Sequence, residues 1–63
     1  MEETKAKYMN IPQMAKYLGV SETHLRRLVR EKLIPHVYLG RRVIFCIEQV
    51  DEWMSDQARR STF

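Results

Sequence analysis

Apolar residues recur at helical spacing in the first part of the chain, between residues 11 and 18. They follow the i, i+3, i+4, i+7 pattern of one buried stripe: Ile11, Met14, Ala15 and Leu18. Asn10 can cap this segment, and Gln13 stands three residues later in capping-box spacing. Gly19 can adopt the left-handed conformation that ends a helix. The pattern predicts a first helix from about Ile11 to Leu18.

A second helical segment follows almost at once. Ser21 is a good N-cap, and Glu22 opposes the helix dipole in the first turn, so we expect a helix from Glu22 to about Glu31. Its apolar stripe consists of Leu25, Leu28 and Val29. Only Gly19 and Val20 separate the two helices, and so short a connection makes them cross steeply. This is the layout of a helix-turn-helix.

The period then changes from helical to alternating, and later changes back. Two β-prone runs, 36–39 and 42–45, flank Gly40-Arg41, where a glycine in the first central position fits a type II′ hairpin turn. Tyr8-Met9 is a further possible strand. Helical spacing returns at about Ile47, with its apolar side formed by Ile47, Val50, Trp53 and Met54. The predicted fold is α+β and mostly helical, a small winged helix-turn-helix with three helices and a two-stranded hairpin wing.

Length and composition fit one small domain. A chain of 63 residues with 44% hydrophobic and 30% charged residues is long enough for a single thin core and should fold. We expect a flexible arm at 1–7, a winged helix-turn-helix domain at 8–56 and a tail at 57–63. No apolar run approaches the length of a membrane span and no signal peptide is recognisable, so we expect a cytoplasmic location and no membrane partner.

Charge is distributed unevenly although the net value is only +3. Residues 16–42 contain seven basic and two acidic side chains, whereas residues 48–56 contain four acidic side chains and no basic one. Such a division predicts one face that attracts a polyanion.

The second helix concentrates the candidate binding chemistry. At about 100° per residue, the side opposite the apolar stripe carries Thr23, Arg26, Arg27 and Arg30. Guanidinium groups donate bidentate hydrogen bonds to guanine or phosphate, and a helix fits the major groove, so this face has the chemistry of a recognition helix. Thr23 and His24, near its N-terminal end, could also reach base edges. The competing interpretation is a merely solvated basic face.

Two other groups of residues are candidates for supporting contacts. Arg41 and Arg42 at the hairpin tip could reach phosphate or the minor groove. Gln13, Lys16 and Ser21, on the first helix and at the start of the second, are candidates for positioning the DNA backbone.

The remaining reactive residues suggest neither catalysis nor cofactor binding. His24 and His36 lack a partner at catalytic or ligand spacing, and one cysteine, Cys46, can form neither an internal disulfide nor a zinc site. We therefore expect no enzyme activity, no metal and no cofactor. The large aromatic residues are predicted to be core: Tyr17, Tyr38, Phe45 and Trp53.

Four segments together resemble the excisionase-type, MerR-like winged-helix DNA-binding domains over residues 8–54. They are Tyr8–Ser21, Leu25-Arg26-Arg27-Leu28, Leu33-Ile34-Pro35 and Leu39-Gly40-Arg41-Arg42. One departure is Glu31-Lys32, which stands where that family often has a glycine before the Leu-Pro turn.

The resemblance implies a second helix in the major groove, contacting DNA through Arg26, Arg27 and Arg30, and a wing contacting it through Arg41 and Arg42. Excisionases, or recombination directionality factors, bend DNA at the ends of a mobile element and assist an integrase of the tyrosine or another type. With no dimerisation helix after Phe63, we expect a monomer that binds repeated sites side by side. The alternatives are a small MerR-like transcriptional regulator and a protein-interaction module that uses the third helix or the tail.

Overall fold

The computed structural model describes residues 7–60, which form three helices and a three-stranded antiparallel sheet. The predicted arm lies outside the described residues except for Lys7, as do the last three residues of the predicted tail. The α+β winged helix-turn-helix expected from the sequence is confirmed.

Helix α1 spans Ile11–Leu18, as predicted. Its first turn is closed by the expected capping box: the Gln13 N–H donates to Asn10 Oδ1 at 2.9 Å, and the Asn10 N–H donates to Gln13 Oε1 at 3.0 Å. Gly19 ends the helix with φ of 75°, a left-handed value that a glycine adopts without cost.

Helix α2 spans Glu22–Arg30, one residue shorter than predicted. The Ser21 hydroxyl caps it by accepting a hydrogen bond from the His24 N–H at 3.0 Å. At its other end Lys32 has φ of 57°, the only positive value among the described non-glycine residues. The chain then turns toward the sheet.

The sheet has the order β1-β3-β2, with β1 at Tyr8–Met9, β2 at Val37–Leu39 and β3 at Arg42–Cys46. Leu39 pairs with Arg42 across the turn. Gly40 has φ of 63° while Arg41 does not have a positive φ, which fits the predicted type II′ turn and excludes type I′. The wing is therefore the expected hairpin, and β1 adds a third strand beside β3.

Helix α3 begins at Ile47 directly after β3 and continues to Arg60. Its first residue is tied to the other end of the domain, because the Ile47 N–H donates to the Lys7 carbonyl at 3.0 Å. The helix extends into the segment predicted as a tail, so residues 57–60 continue α3 rather than leave it.

One core joins the three helices and the sheet. Its buried members are Ile11, Met14, Ala15, Leu25, Val29, Ile34, Phe45 and Val50. Trp53 packs against this core and is half-buried. The prediction that Tyr17 and Tyr38 are core residues is wrong, since they are 48% and 60% exposed. Tyr17 lies beside the apolar stripe of α1 rather than on it, and Tyr38 belongs to an edge strand whose side chains are all exposed.

Candidate nucleic-acid interface

The arginines of α2 lie on its exposed side, as the helical spacing predicts. Arg26 Nη2 is 3.7 Å from Glu22 Oε1, and Arg27 Nε is 3.5 Å from Glu31 Oε2. Both pairs are one helical turn apart and solvent-exposed, so each is easily exchanged for another anion. Arg30 is also exposed, and within residues 7–60 it has no hydrogen-bond or ion-pair partner.

An open cleft of about 260 Å³ separates α2 from the wing. Arg26 and Arg30 line it on the helix side and Tyr38 lines it on the wing side. Its apolar lining comes from Ile11, Val29 and Val43. The fold thus brings two of the predicted recognition-helix arginines beside the wing.

Tyr38 is a member of this surface that the sequence analysis missed. It stands opposite Val43 in the register of β2 and β3, and its ring meets that of His36 edge to face at a centroid distance of 5.2 Å. The His36 ring is in turn held by a 2.7 Å hydrogen bond between its Nδ1 and the Ile34 carbonyl. Tyr38 lies in the apolar run of β2, and that run predicted a core position for it rather than a surface one.

Thr23 and His24, the other two polar candidates on α2, lie on different sides of the helix. Thr23 is exposed on the same outer side as Arg27. His24 instead lines a groove on the opposite flank of the helix, together with Leu18 and Trp53. The reason is helical geometry, because residues two apart differ by about 200° around the axis. His24 is therefore placed away from Arg26.

The wing-tip arginines occupy their predicted position. Arg41 lies in the hairpin turn and Arg42 is the first residue of β3, and both are exposed. Neither lines the cleft between α2 and the wing. They extend the basic surface beyond the cleft rather than complete it.

Three candidates for backbone positioning gather around the start of α2. Gln13 and Lys16 line a shallow cleft with Glu22. Gln13 Oε1 accepts a hydrogen bond in the capping box, so the side-chain amide N–H groups of Gln13 remain able to donate to an anion. The Ser21 hydroxyl oxygen accepts from the His24 N–H and keeps its own O–H as a donor.

A hydrogen bond fixes α1 against α3. The Tyr17 hydroxyl donates to Asp51 Oδ1 at 2.7 Å. This bond, together with desolvation and the charge of the carboxylate, raises the pKa of Tyr17 above its usual value of 10.0. The contact is an exposed one, and it links α3 to the helix that carries Gln13 and Lys16.

Among residues 7–60, no helix combines the length and apolar character needed to cross a bilayer. The same residues contain no group of three His, Cys, Asp or Glu side chains arranged to hold a metal ion.

Comparison with known proteins gives one match. The family model of a helix-turn-helix domain matches residues 8–58, which include all three helices up to the last turn of α3 and all three strands. No curated protein and no solved structure matches the chain.

Proposed function

The chain belongs to the helix-turn-helix domain family, and from that premise we propose that it recognises a specific duplex DNA sequence and acts as an excisionase. The observation that carries the DNA-binding part is the arrangement of Arg26 and Arg30 on an exposed helix face beside the wing. Guanidinium groups on one face of a helix that has a flanking hairpin suit a major groove and the backbone next to it.

Within this proposal, α2 lies in the major groove with its arginine face toward the bases. Arg30 is the best candidate for a bidentate bond to guanine, because no carboxylate among the described residues must first be displaced from it. Arg26 and Arg27 would exchange weak bonds to glutamate for bonds to phosphate or a base edge. Thr23 would contact the bases from the first turn, and His24 would contact the backbone strand on its own flank.

The other candidates would fix the position of the domain on the duplex. Arg41 and Arg42 reach phosphate or the minor groove from the wing tip, and Tyr38 supplies an exposed ring between the wing and α2. Gln13, Lys16 and Ser21 donate to the backbone near the N-terminal end of α2. These contacts carry no sequence information and add the salt-dependent part of the affinity.

The excisionase role rests on the resemblance of residues 8–54 and on a family that includes excisionase-like DNA-binding proteins. In that role the protein binds repeated sites side by side as a monomer, bends the DNA and assists an integrase. Regulation of transcription through the same contacts is the alternative. The two differ in the DNA site and in the partner protein, so both must be tested on DNA.

A binding titration tests the proposal. Purified protein is titrated against the DNA around its own gene, with scrambled competitor and at two salt concentrations. We expect competitor-resistant complexes that grow stepwise, and an Arg30→Ala variant that loses about 1–3 kcal/mol of binding free energy. Arg60→Ala is the matched control, since it removes the same charge from α3.

The outcomes separate the parts of the proposal. Absence of a complex at low salt would contradict DNA binding itself. An equal loss for Arg30→Ala and Arg60→Ala would show that charge alone acts, without recognition by α2. With specific binding established, stimulation of an integrase in an in vitro excision reaction would favour excision over transcriptional control.

A further inference from the structure

The cleft between α2 and the wing, which we call the α2–wing cleft, has a basic wall and an apolar floor. The wall on the α2 side carries the guanidinium groups of Arg26 and Arg30, and the wall on the wing side carries the ring of Tyr38. The floor consists of buried Ile11, buried Val29 and half-buried Val43. No carboxylate among the described residues lines it. The lining therefore suits an anion that also has an uncharged, apolar part.

The two arginines of the cleft lie at different heights above its floor. Around the axis of α2, Arg26 is about 60° from Val29 and Arg30 is about 100° from it in the same direction. Arg26 is thus nearer the floor, and Arg30 is nearer the outer face of the helix. The ion pair of Arg26 with Glu22 is exposed and 3.7 Å long, so a phosphate readily replaces the carboxylate. An anion in the cleft would be bound by Arg26, which leaves Arg30 for a base.

The ring of Tyr38 is braced against the domain although it is 60% exposed. It meets the His36 ring edge to face, with an interplanar angle of 88°. His36 is fixed in turn, because its Nδ1 donates to the carbonyl of the buried Ile34 at 2.7 Å. A side chain that is already held in place loses little conformational freedom when it binds a ligand. Tyr38 is therefore preorganised to present its ring to the cleft.

The geometry of duplex DNA places a backbone strand in this cleft. With α2 in the major groove and the wing tip at the flanking minor groove, one sugar–phosphate strand runs between the two elements, because that strand is the wall between the grooves. The α2–wing cleft is the space between the same two elements. A backbone strand alternates charged phosphates with uncharged deoxyriboses, whose carbon atoms form an apolar edge. This alternation matches the basic wall and the apolar floor.

We propose that the α2–wing cleft holds one sugar–phosphate strand of duplex DNA, with a phosphate on Arg26 and the neighbouring deoxyribose against the ring of Tyr38. This inference rests on the proposed DNA binding and adds an uncharged positioning contact to it. The sugar is the same beside every base, so the contact of Tyr38 does not depend on sequence. Tyr38 also releases no counterion, so this part of the affinity does not depend on salt.

Two ligands separate the sugar contact from the phosphate contact. The full chain is titrated with a short fluorescent duplex of mixed sequence at several salt concentrations, and with inorganic polyphosphate, which has phosphates but no sugar. Tyr38→Ala is the test variant. Tyr8→Ala is the matched control, because Tyr8 is 59% exposed and lies in the edge strand on the other side of β3, outside the cleft. Circular dichroism checks that each variant folds.

We expect Tyr38→Ala to weaken duplex binding about tenfold with an unchanged slope of log affinity against log salt, and to leave polyphosphate binding unchanged. Tyr38→Phe keeps the ring and should stay within about twofold of the unsubstituted protein. Arg26→Ala should weaken both ligands and make the salt slope for the duplex shallower by about one. If Tyr38→Ala does not fold, Tyr38→Thr replaces it with the same expected loss, because threonine suits a strand.

Fluorine NMR reports on the ring itself. The chain has three tyrosines, so incorporation of 3-fluorotyrosine gives one signal each for Tyr8, Tyr17 and Tyr38, and the Tyr38 signal is identified by its loss in Tyr38→Phe. We expect the duplex to shift the Tyr38 signal and to leave that of Tyr8 in place. Polyphosphate should shift the Tyr38 signal much less, because it offers no sugar to the ring.

The contrary outcomes are distinct from one another. Equal duplex affinities of Tyr38→Ala and Tyr8→Ala, or an equal loss for duplex and polyphosphate in Tyr38→Ala, would overturn the sugar contact while leaving the proposed DNA binding intact. A Tyr38 signal that responds to an acidic, phenylalanine-containing peptide but not to the duplex would assign the cleft to a protein partner and overturn it as well. Absence of any duplex complex at low salt would contradict the proposed function, and this inference with it.

Discussion

The ends of α1 and α2 share two backbone hydrogen bonds but have different residues at the critical position. After α1, the Gly19 N–H is shared between the Ala15 carbonyl at 2.8 Å and the Lys16 carbonyl at 3.3 Å, and the Val20 N–H donates to the Ala15 carbonyl at 3.0 Å. This is the pattern of a Schellman motif, which needs one residue in the left-handed conformation. At α1 that residue is glycine.

After α2 the same two bonds recur with a lysine in that position. The Lys32 N–H donates to the Val29 carbonyl and the Leu33 N–H donates to the Leu28 carbonyl, both at 2.9 Å. A side chain at positive φ costs about 1–2 kcal/mol relative to glycine. The comparison shows that the hydrogen bonds and the burial that follows can impose this conformation, since Ile34 enters the core two residues later. The helix-turn-helix connection is relaxed, whereas the connection from α2 to the wing is strained.

The largest expected effect comes from removing the glycine at the relaxed end. A Gly19→Val substitution should lower the free energy of unfolding by about 2 kcal/mol, because a β-branched residue is strongly disfavoured at φ of 75°. A Cβ at Gly19 would meet no atom within 4 Å, so the cost is one of backbone conformation alone. Urea unfolding followed by Trp53 emission measures it. Gly19→Ala is the control and should cost less; equal stability of all three proteins would contradict the assignment.

Loss of the N-cap of α2 is expected to lower the free energy of unfolding about half as much as Gly19→Val does. Ser21→Ala removes the acceptor of the His24 N–H and should lower the free energy of unfolding by about 1 kcal/mol. Ser21→Asp keeps an acceptor in the cap and should restore stability. If Ser21→Asp were as unstable as Ser21→Ala, the cap would not be the source of the loss.

At the strained C-terminal end of α2, introducing a glycine should stabilise the protein instead. Lys32→Gly should raise the free energy of unfolding by somewhat less than 1 kcal/mol, because the relief of positive φ is partly offset by the greater freedom of glycine in the unfolded chain. Lys32→Ala retains the strain and removes the charge, so it should not stabilise. A gain with alanine equal to that with glycine would assign the effect to charge near the helix end instead.

These two ends also show which features the sequence could reveal. Gly19 marks the end of α1 because glycine is the usual residue there, and α1 was predicted to its final residue. Lys32 carries no such mark, and its conformation follows from the bonds of neighbouring backbone groups and the burial of Ile34. Local chemistry was enough in the first case, while tertiary packing decided the second.

The candidate site divides in a similar way. The arginine face of α2 follows from helical spacing alone, and the structure leaves all three arginines exposed there. That spacing also places His24 on the other flank, although the sequence analysis grouped it with Thr23 by its nearness to the helix start. Tyr38 could not be placed from the alternation of its strand, since only the strand order shows that β2 is an edge with both faces uncovered.

The smallest expected effect concerns the side-chain hydrogen bond that links the last turn of α1 to α3. Tyr17, in the last turn of α1, donates to Asp51 of α3, and this bond raises the pKa of Tyr17 in the folded state. A raised pKa means that the folded state holds the proton more tightly than the unfolded chain does. The stabilisation is therefore fully present below about pH 10 and is lost as the pH rises through the higher pKa of the folded state. Tyr17→Phe should be slightly less stable at pH 7 and should lack this alkaline decline, which we expect in urea midpoints above about pH 10. Tyr8→Phe, at another exposed tyrosine, serves as the control and should keep the decline. A decline that persists in Tyr17→Phe would show that the bond to Asp51 does not stabilise the junction of α1 and α3, and the two helix ends would then differ in backbone strain alone.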